Sequence, residues 1–179
     1  MVEVHEASRL SQRIIMAADT SISKLSLERR ADIIFKKMIL DCDTKEGIKY
    51  SIAGAVFDNQ VTKLSEEAYK IIKKKYSKNL HTNFFFSNRT YSDLRIEHVV
   101  PVEFIYRAFK EKLDNGTLTK DFIENSLNKA FIALITPDED KLLNKAKFRN
   151  TMPAGFTLDG HIDPLVRYSK SGIVMHQWP

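Results

Sequence analysis

Apolar positions fall along this chain with two distinct periods. From Glu6 to Ala18 the residues Ala7, Leu10, Ile14 and Ala17 recur at spacings of three and four, one stripe of a helix. Asp19 to Ser23 interrupts the stripe. Ser26 is then placed as the N-cap of a second helix reaching Leu40, with Leu27, Ala31, Ile34 and Met38 on one face and Arg29, Arg30, Lys36 and Lys37 largely elsewhere. Those cations suit a solvated face or contacts to phosphate. Ser65 caps a third helix, Glu66 to Tyr76, whose early acids and late Lys73, Lys74 and Lys75 match the helix dipole. Val102 to Leu113 has helical spacing through Phe104, Ile105, Ala108 and Phe109. Asp114-Asn115-Gly116 is a turn, and Thr119 starts another helix through Leu127.

Strand patterns are shorter. Asn83 to Ser87 holds Phe84, Phe85 and Phe86 with nothing polar interleaved, which predicts a strand buried on both faces, although such a run can also stack unpaired bases. Tyr50 to Val56 is small and apolar around Gly54 and fits a short strand or a buried helical turn. Leu94 to Val100 is β-branched and stops at Pro101, and Ala130 to Ile135 is a second apolar run. Directly after it, Thr136 as N-cap, Pro137 at the first helical position and Glu139 three residues past the cap form a capping box, so a helix starts there.

Chemistry enters through Glu97 and His98 in the first of those strands. A carboxylate suits a hard divalent cation, and a neutral imidazole suits proton abstraction near pH 7. Adjacent strand residues point to opposite faces, so the two serve one site only if the chain bends there. Pro101 is positioned to end regular pairing just beyond them.

The succession Ile96-Glu97-His98-Val99-Val100-Pro101, then Asn128-Lys129 before the second strand, then Asn144 on the capped helix with its trailing residues to Pro153, resembles the HNH, or ββα-metal, nuclease family. That pattern is a metal-binding acid followed by His, a middle Asn, and a last Asn or His on the helix. A similar layout occurs in the HNH domain of CRISPR effector nucleases. The resemblance spans Asp93 to Pro153. It implies an α+β fold, mainly helical, with a ββα-metal nuclease core of two short antiparallel strands and a capped helix. It also implies DNA phosphodiester hydrolysis that leaves 5′-phosphate and 3′-hydroxyl ends.

In that scheme His98 is the general base and Asn128 the middle catalytic residue, while Glu97 and Asn144 hold one Mg²⁺ or Mn²⁺. Asp140, one helical turn before Asn144, is the competing ligand. Arg95, Lys147 and Arg149 are candidates to hold phosphate. The helices between the two strands are an insertion relative to a minimal ββα unit and make Asn128 equally readable as a helix-terminal polar residue. The single cysteine, Cys42, leaves no Cys-based zinc knuckle of the kind many HNH relatives carry, so no zinc is expected.

With 179 residues, 43% hydrophobic and 28% charged, the chain fits one ordinary domain. Its regions are expected to be 1–82, mostly helical; 83–153, the nuclease core with a helical insertion; and 154–179, a loop-rich extension. That last region packs through Phe156, Leu165, Tyr168, Ile173, Val174 and Trp178, with His161, Arg167 and His176 able to reach a ligand. The net charge of +5 favours a polyanionic partner. No signal peptide or bilayer-spanning run is expected, which points to the cytoplasm and away from membranes. A DNA restriction enzyme acting as a homodimer on two-fold symmetric sites is the leading expectation. A non-specific toxin or antiphage effector nuclease, and a non-catalytic nucleic-acid-binding protein, are the alternatives.

Overall fold

Where the apolar stripe of 27–38 meets partners, it forms a helix with its interior face against three others. The computed structural model describes residues 26–40, 43–57, 61–75 and 93–177. The expected helix at 6–18, the triple-phenylalanine strand, His5, His81, Cys42 and Trp178 lie outside the described residues. The elements in chain order are α1 (Leu27–Ile39), α2 (Lys45–Phe57), β1 (Val61–Ser65), α3 (Glu66–Lys75), β2 (Arg95–His98), α4 (Val102–Asp114), α5 (Lys120–Lys129), β3 (Ile132–Ile135), α6 (Pro137–Lys145), α7 (Val166–Ser169) and β4 (Met175–Gln177). The protein is therefore α+β and mainly helical.

Four strands form one mixed sheet in the order β2-β3-β1-β4. β3 is central and buried along its whole length. It pairs antiparallel with β2, Glu97 facing Ala133 and His98 facing Ile132, and parallel with β1 across a register irregularity between Val61 and Lys63. β4 closes the other edge antiparallel to β1. The strand pair β2 and β3 followed at once by α6 gives the succession of two antiparallel strands and a capped helix, set inside a larger sheet than the two strands expected.

The sheet has two unlike faces. Ile132 and Leu134 join a large core with Ala31, Ile34, Ile52, Ile105, Phe109, Ile123 and Leu127 from the long helices. Because strand residues alternate, Ala133 and Ile135 turn the other way, into a smaller cluster with Val99, Leu143, Tyr168 and Ile173. Each fully buried Leu, Ile or Phe contributes about 1.5–3 kcal/mol, so the helical side supplies most of the stability. The helices of the N-terminal region and those of the insertion share this one core. No helix among the described residues is long and apolar enough to cross a membrane.

Local signals explain the helix boundaries. Ser26 Oγ accepts from Arg29 N, Thr119 Oγ1 from Phe122 N, and Ser65 Oγ from Ala68 N. The box at Thr136 is complete: Thr136 Oγ1 accepts from Glu139 N at 3.2 Å, and Glu139 Oε2 accepts from Thr136 N at 2.8 Å. The same buried oxygen accepts from Ser65 Oγ at 2.5 Å, which ties the end of β1 to the start of α6. Tyr50 to Val56 proves helical, lying inside α2, with Ile52, Ala55 and Val56 buried.

The surface cations of α1 largely have local partners. Lys36 pairs with Asp32, Lys37 with Asp43, and Arg30 turns inward to donate to the Ala55 carbonyl at 2.6 Å. Between α2 and α4, burial opposes ionisation of Glu103, but hydrogen bonds from Lys49, Arg107 and Lys45 outweigh it and lower the carboxyl to about 2. In the C-terminal segment Phe156, Tyr168 and Ile173 are buried as expected, whereas Val174 is exposed.

Candidate functional site

Pairing with β3 fixes where the two chemistry-bearing residues of β2 point. Glu97 lies over Ala133, on the smaller face covered by α6 and α7, and His98 lies over Ile132, on the face of the long helices. The strand stays regular through both positions, and the Val99 amide continues the ladder by donating to Phe131 O at 2.9 Å. Glu97 and His98 therefore diverge. The bend that would bring them to one site is not formed in this conformation.

Around Glu97 the structure gathers a charged cluster. The Arg167 guanidinium, fully buried, pairs through Nη2 with Glu97 Oε1, and the same nitrogen donates to His98 O at 2.7 Å and contacts Tyr168 Oη at 3.2 Å. Nη1 donates to Phe148 O at 2.8 Å. Burial raises the Glu97 carboxyl above its ordinary value; the charges of Arg167 and Arg149 pull it back, and that of Asp140 pushes it further up. Burial raises the Tyr168 phenol as well, against the opposing influence of Arg167.

Asn144 sits on α6 one turn after Asp140, exposed, with Nδ2 donating to Asp140 O at 2.9 Å. Its amide oxygen accepts from no donor among the described residues. Among the described residues no three His, Cys, Asp or Glu side chains converge.

His98 occupies a different setting. Burial lowers its imidazole to about 4, with the hydrogen bond to the Ala53 backbone acting in the opposite sense and the Arg167 charge adding to the lowering. Its Nε2 is buried without a hydrogen-bond partner among the described residues. The ring is therefore neutral at pH 7, as a general base must be, but it faces the helical core.

Of the other expected residues, Asn128 lies within the last turn of α5, the helix-terminal placement. It is exposed and lines a cavity of about 390 Å³ with Phe122, Asn125, Ser126, Lys129, Leu158 and Asp159, apart from the Glu97 cluster. Arg95 is exposed on the edge strand, its Nη1 donating to Leu94 O at 3.2 Å. Lys147 and Arg149 are exposed beyond α6.

The turn holding Lys147 is specific. Phe148 N donates to Leu143 O at 2.8 Å and Lys147 N to Asn144 O at 3.0 Å, the two bonds of a Schellman cap, with Leu143 and Phe148 in hydrophobic contact across it. The residue such a cap needs in the left-handed region is commonly glycine, yet here Lys147 has φ 63°. That conformation costs an L-residue about 1–2 kcal/mol. Lys147→Gly is expected to raise stability by about 0.5 kcal/mol or more, the gain being reduced by the greater freedom of glycine in the unfolded chain. Urea denaturation checks it, and a loss of stability would mean that the lysine side chain holds the turn.

Comparison of the chain with protein-family models, with curated proteins and with solved structures finds no match.

Sequence reasoning missed the pairing of Arg167 with Glu97. A signal was present: Arg167 is a lone cation inside Leu165-Val166-Arg167-Tyr168, and a charge within so apolar a run needs a partner.

Proposed function

We propose that this protein is a metal-dependent endonuclease of the HNH type that hydrolyses DNA phosphodiester bonds, most simply as a restriction enzyme. The observation that supports it is the placement of Glu97 on β2 and of Asp140 and Asn144 on α6 in an arrangement of two antiparallel strands and a capped helix. Arg167 engages only Oε1 of Glu97, and the carboxylate's second oxygen suits a hard divalent cation. The chemistry of the donor set fits Mg²⁺ or Mn²⁺, with Glu97 and Asp140 as ligands and Asn144 on the next turn. Bound there, the ion would supply positive charge to the scissile phosphate and the departing oxygen.

The chain's own residues divide the remaining work. Arg149, Lys147 and Arg95 would hold the phosphate backbone. His98, neutral at pH 7, would take the proton from the attacking water once its ring reaches the Glu97 side. In its present seat the ring is held on the helical side by burial and a hydrogen bond to the Ala53 backbone, with Nε2 left unpartnered among the described residues.

Two other facts favour a second reading. Glu97 is already neutralised by Arg167, and His98 faces the helical core, so the Glu-His strand of a non-catalytic nucleic-acid-binding protein would have this arrangement too.

Incubation with plasmid and Mg²⁺ separates the possibilities. Discrete bands support a restriction-type enzyme, a smear a non-specific effector nuclease, and intact DNA the binding protein. Glu97→Gln and Asp140→Asn are each expected to slow cleavage by ~100-fold or more with DNA binding kept within a few-fold. Unchanged cleavage in both variants would remove this cluster from the reaction. Sedimentation with and without a cleaved duplex tests the homodimer that a two-fold symmetric site requires.

A further inference from the structure

We infer that Arg167 is a positioning residue for the divalent cation: its guanidinium fixes one oxygen of Glu97 so that the other is presented to the ion. The inference rests on the metal site proposed above.

The geometry is that of a ligand oriented from behind. Arg167 is fully buried, while the Glu97 side chain keeps 22% of its surface. The guanidinium does not depend on Glu97 for its own place. The carbonyls of His98 and Phe148, at 2.7 and 2.8 Å, hold it from the end of β2 and from the turn after α6, and the Tyr168 ring lies against it, 5.0 Å from its centre.

Only Oε1 of Glu97 meets Arg167, and no donor among the described residues reaches Oε2. A carboxylate gripped at one oxygen by a fixed fork has its second oxygen aimed and its rotamer chosen before any ion arrives. Carboxylate ligands are commonly held this way by a hydrogen-bonding partner, and losing the partner weakens metal binding by about 10- to 100-fold.

The opposite arrangement, in which Arg167 simply occupies the place of the ion, predicts the opposite sign. Arg167→Lys keeps the charge but cannot span Glu97 Oε1, His98 O and Phe148 O together. Mn²⁺ titrations followed by electron paramagnetic resonance, on the wild type, Arg167→Lys, Glu97→Gln and the double variant, decide between them, with thermal melts confirming that each is folded.

The expected result is about 10-fold weaker Mn²⁺ binding in Arg167→Lys, a larger loss in Glu97→Gln, and no further loss when the two are combined. Tyr168→Phe removes only the 3.2 Å contact on Nη2 and keeps charge and volume. It is the milder arm, expected to weaken Mn²⁺ a few-fold, and it serves if lysine at 167 does not fold.

Wild-type or tighter affinity in these variants would overturn the inference while leaving a Glu97-dependent metal site standing. So would an equal loss from Arg167→Lys in the Glu97→Gln background, which would mark general loosening. Absence of any Glu97-dependent Mn²⁺ binding in the wild type would overturn both the inference and the proposed site.

Discussion

His98→Leu is expected to make the protein more stable and to abolish DNA cleavage. The imidazole faces the helical core beside Ala53, with Nε2 buried and unpartnered among the described residues. Leucine loses the bond to Ala53 but also removes the orphaned nitrogen, for a net gain of about 1 kcal/mol at pH 7.

The difference grows in acid. Burial lowers the folded-state imidazole to about 4 from 6.5, so between those values the unfolded chain binds the additional proton. The stability that depends on neutral His98 is fully present above pH 6.5 and is lost as the pH falls toward 4, about 3 kcal/mol in all. Denaturant titrations of both proteins at pH 7, 5.5 and 4.5 check this. Parallel pH profiles would mean that the ring is solvated.

Cleavage should fall by ~10²–10⁴-fold, the usual contribution of a positioned general base. A protein that gains stability by losing a residue carries that residue for another reason. A variant that is both more stable and fully active would instead leave His98 with no role in the reaction.

How far the sequence determined these expectations depends on the range of each interaction. The capping box at Thr136 was legible because every partner lies within three residues. The helical stripes of 27–38, 102–113 and 119–127 were legible because one period decides them, and each helix ends within two residues of its expected boundary. Tyr50 to Val56 stayed open because a helix apolar on nearly every side has no stripe. β1 and β4 left no readable pattern: Val61–Ser65 is five residues long and runs straight into the helix that Ser65 caps, and Met175–Gln177 is three residues on a sheet edge.

For the candidate site, the strand that carries Glu97 and the helix that carries Asp140 follow from local pattern. Which face takes Glu97 and which takes His98 follows only from the register with β3. The partner of Glu97 comes from Arg167, seventy residues away, and no local rule connects the two.

The second large effect is expected at that pair. Arg167→Met should destabilise the protein by about 3–5 kcal/mol, because it leaves Glu97 without its counter-charge in partial burial and two carbonyls, of His98 and Phe148, without their donor. Combining it with Glu97→Leu should recover much of that loss, since an ion pair taken out of water is often no better than apolar side chains of similar volume. The two carbonyls left behind set the limit of recovery.

Thermal unfolding of the two single variants and the double variant gives the coupling directly. If the double variant is no more stable than Arg167→Met alone, the guanidinium serves mainly to tie β2 to the turn after α6. If it approaches the wild type, the fold does not need this charge pair. Its presence would then be accounted for by what Glu97 binds rather than by what it stabilises.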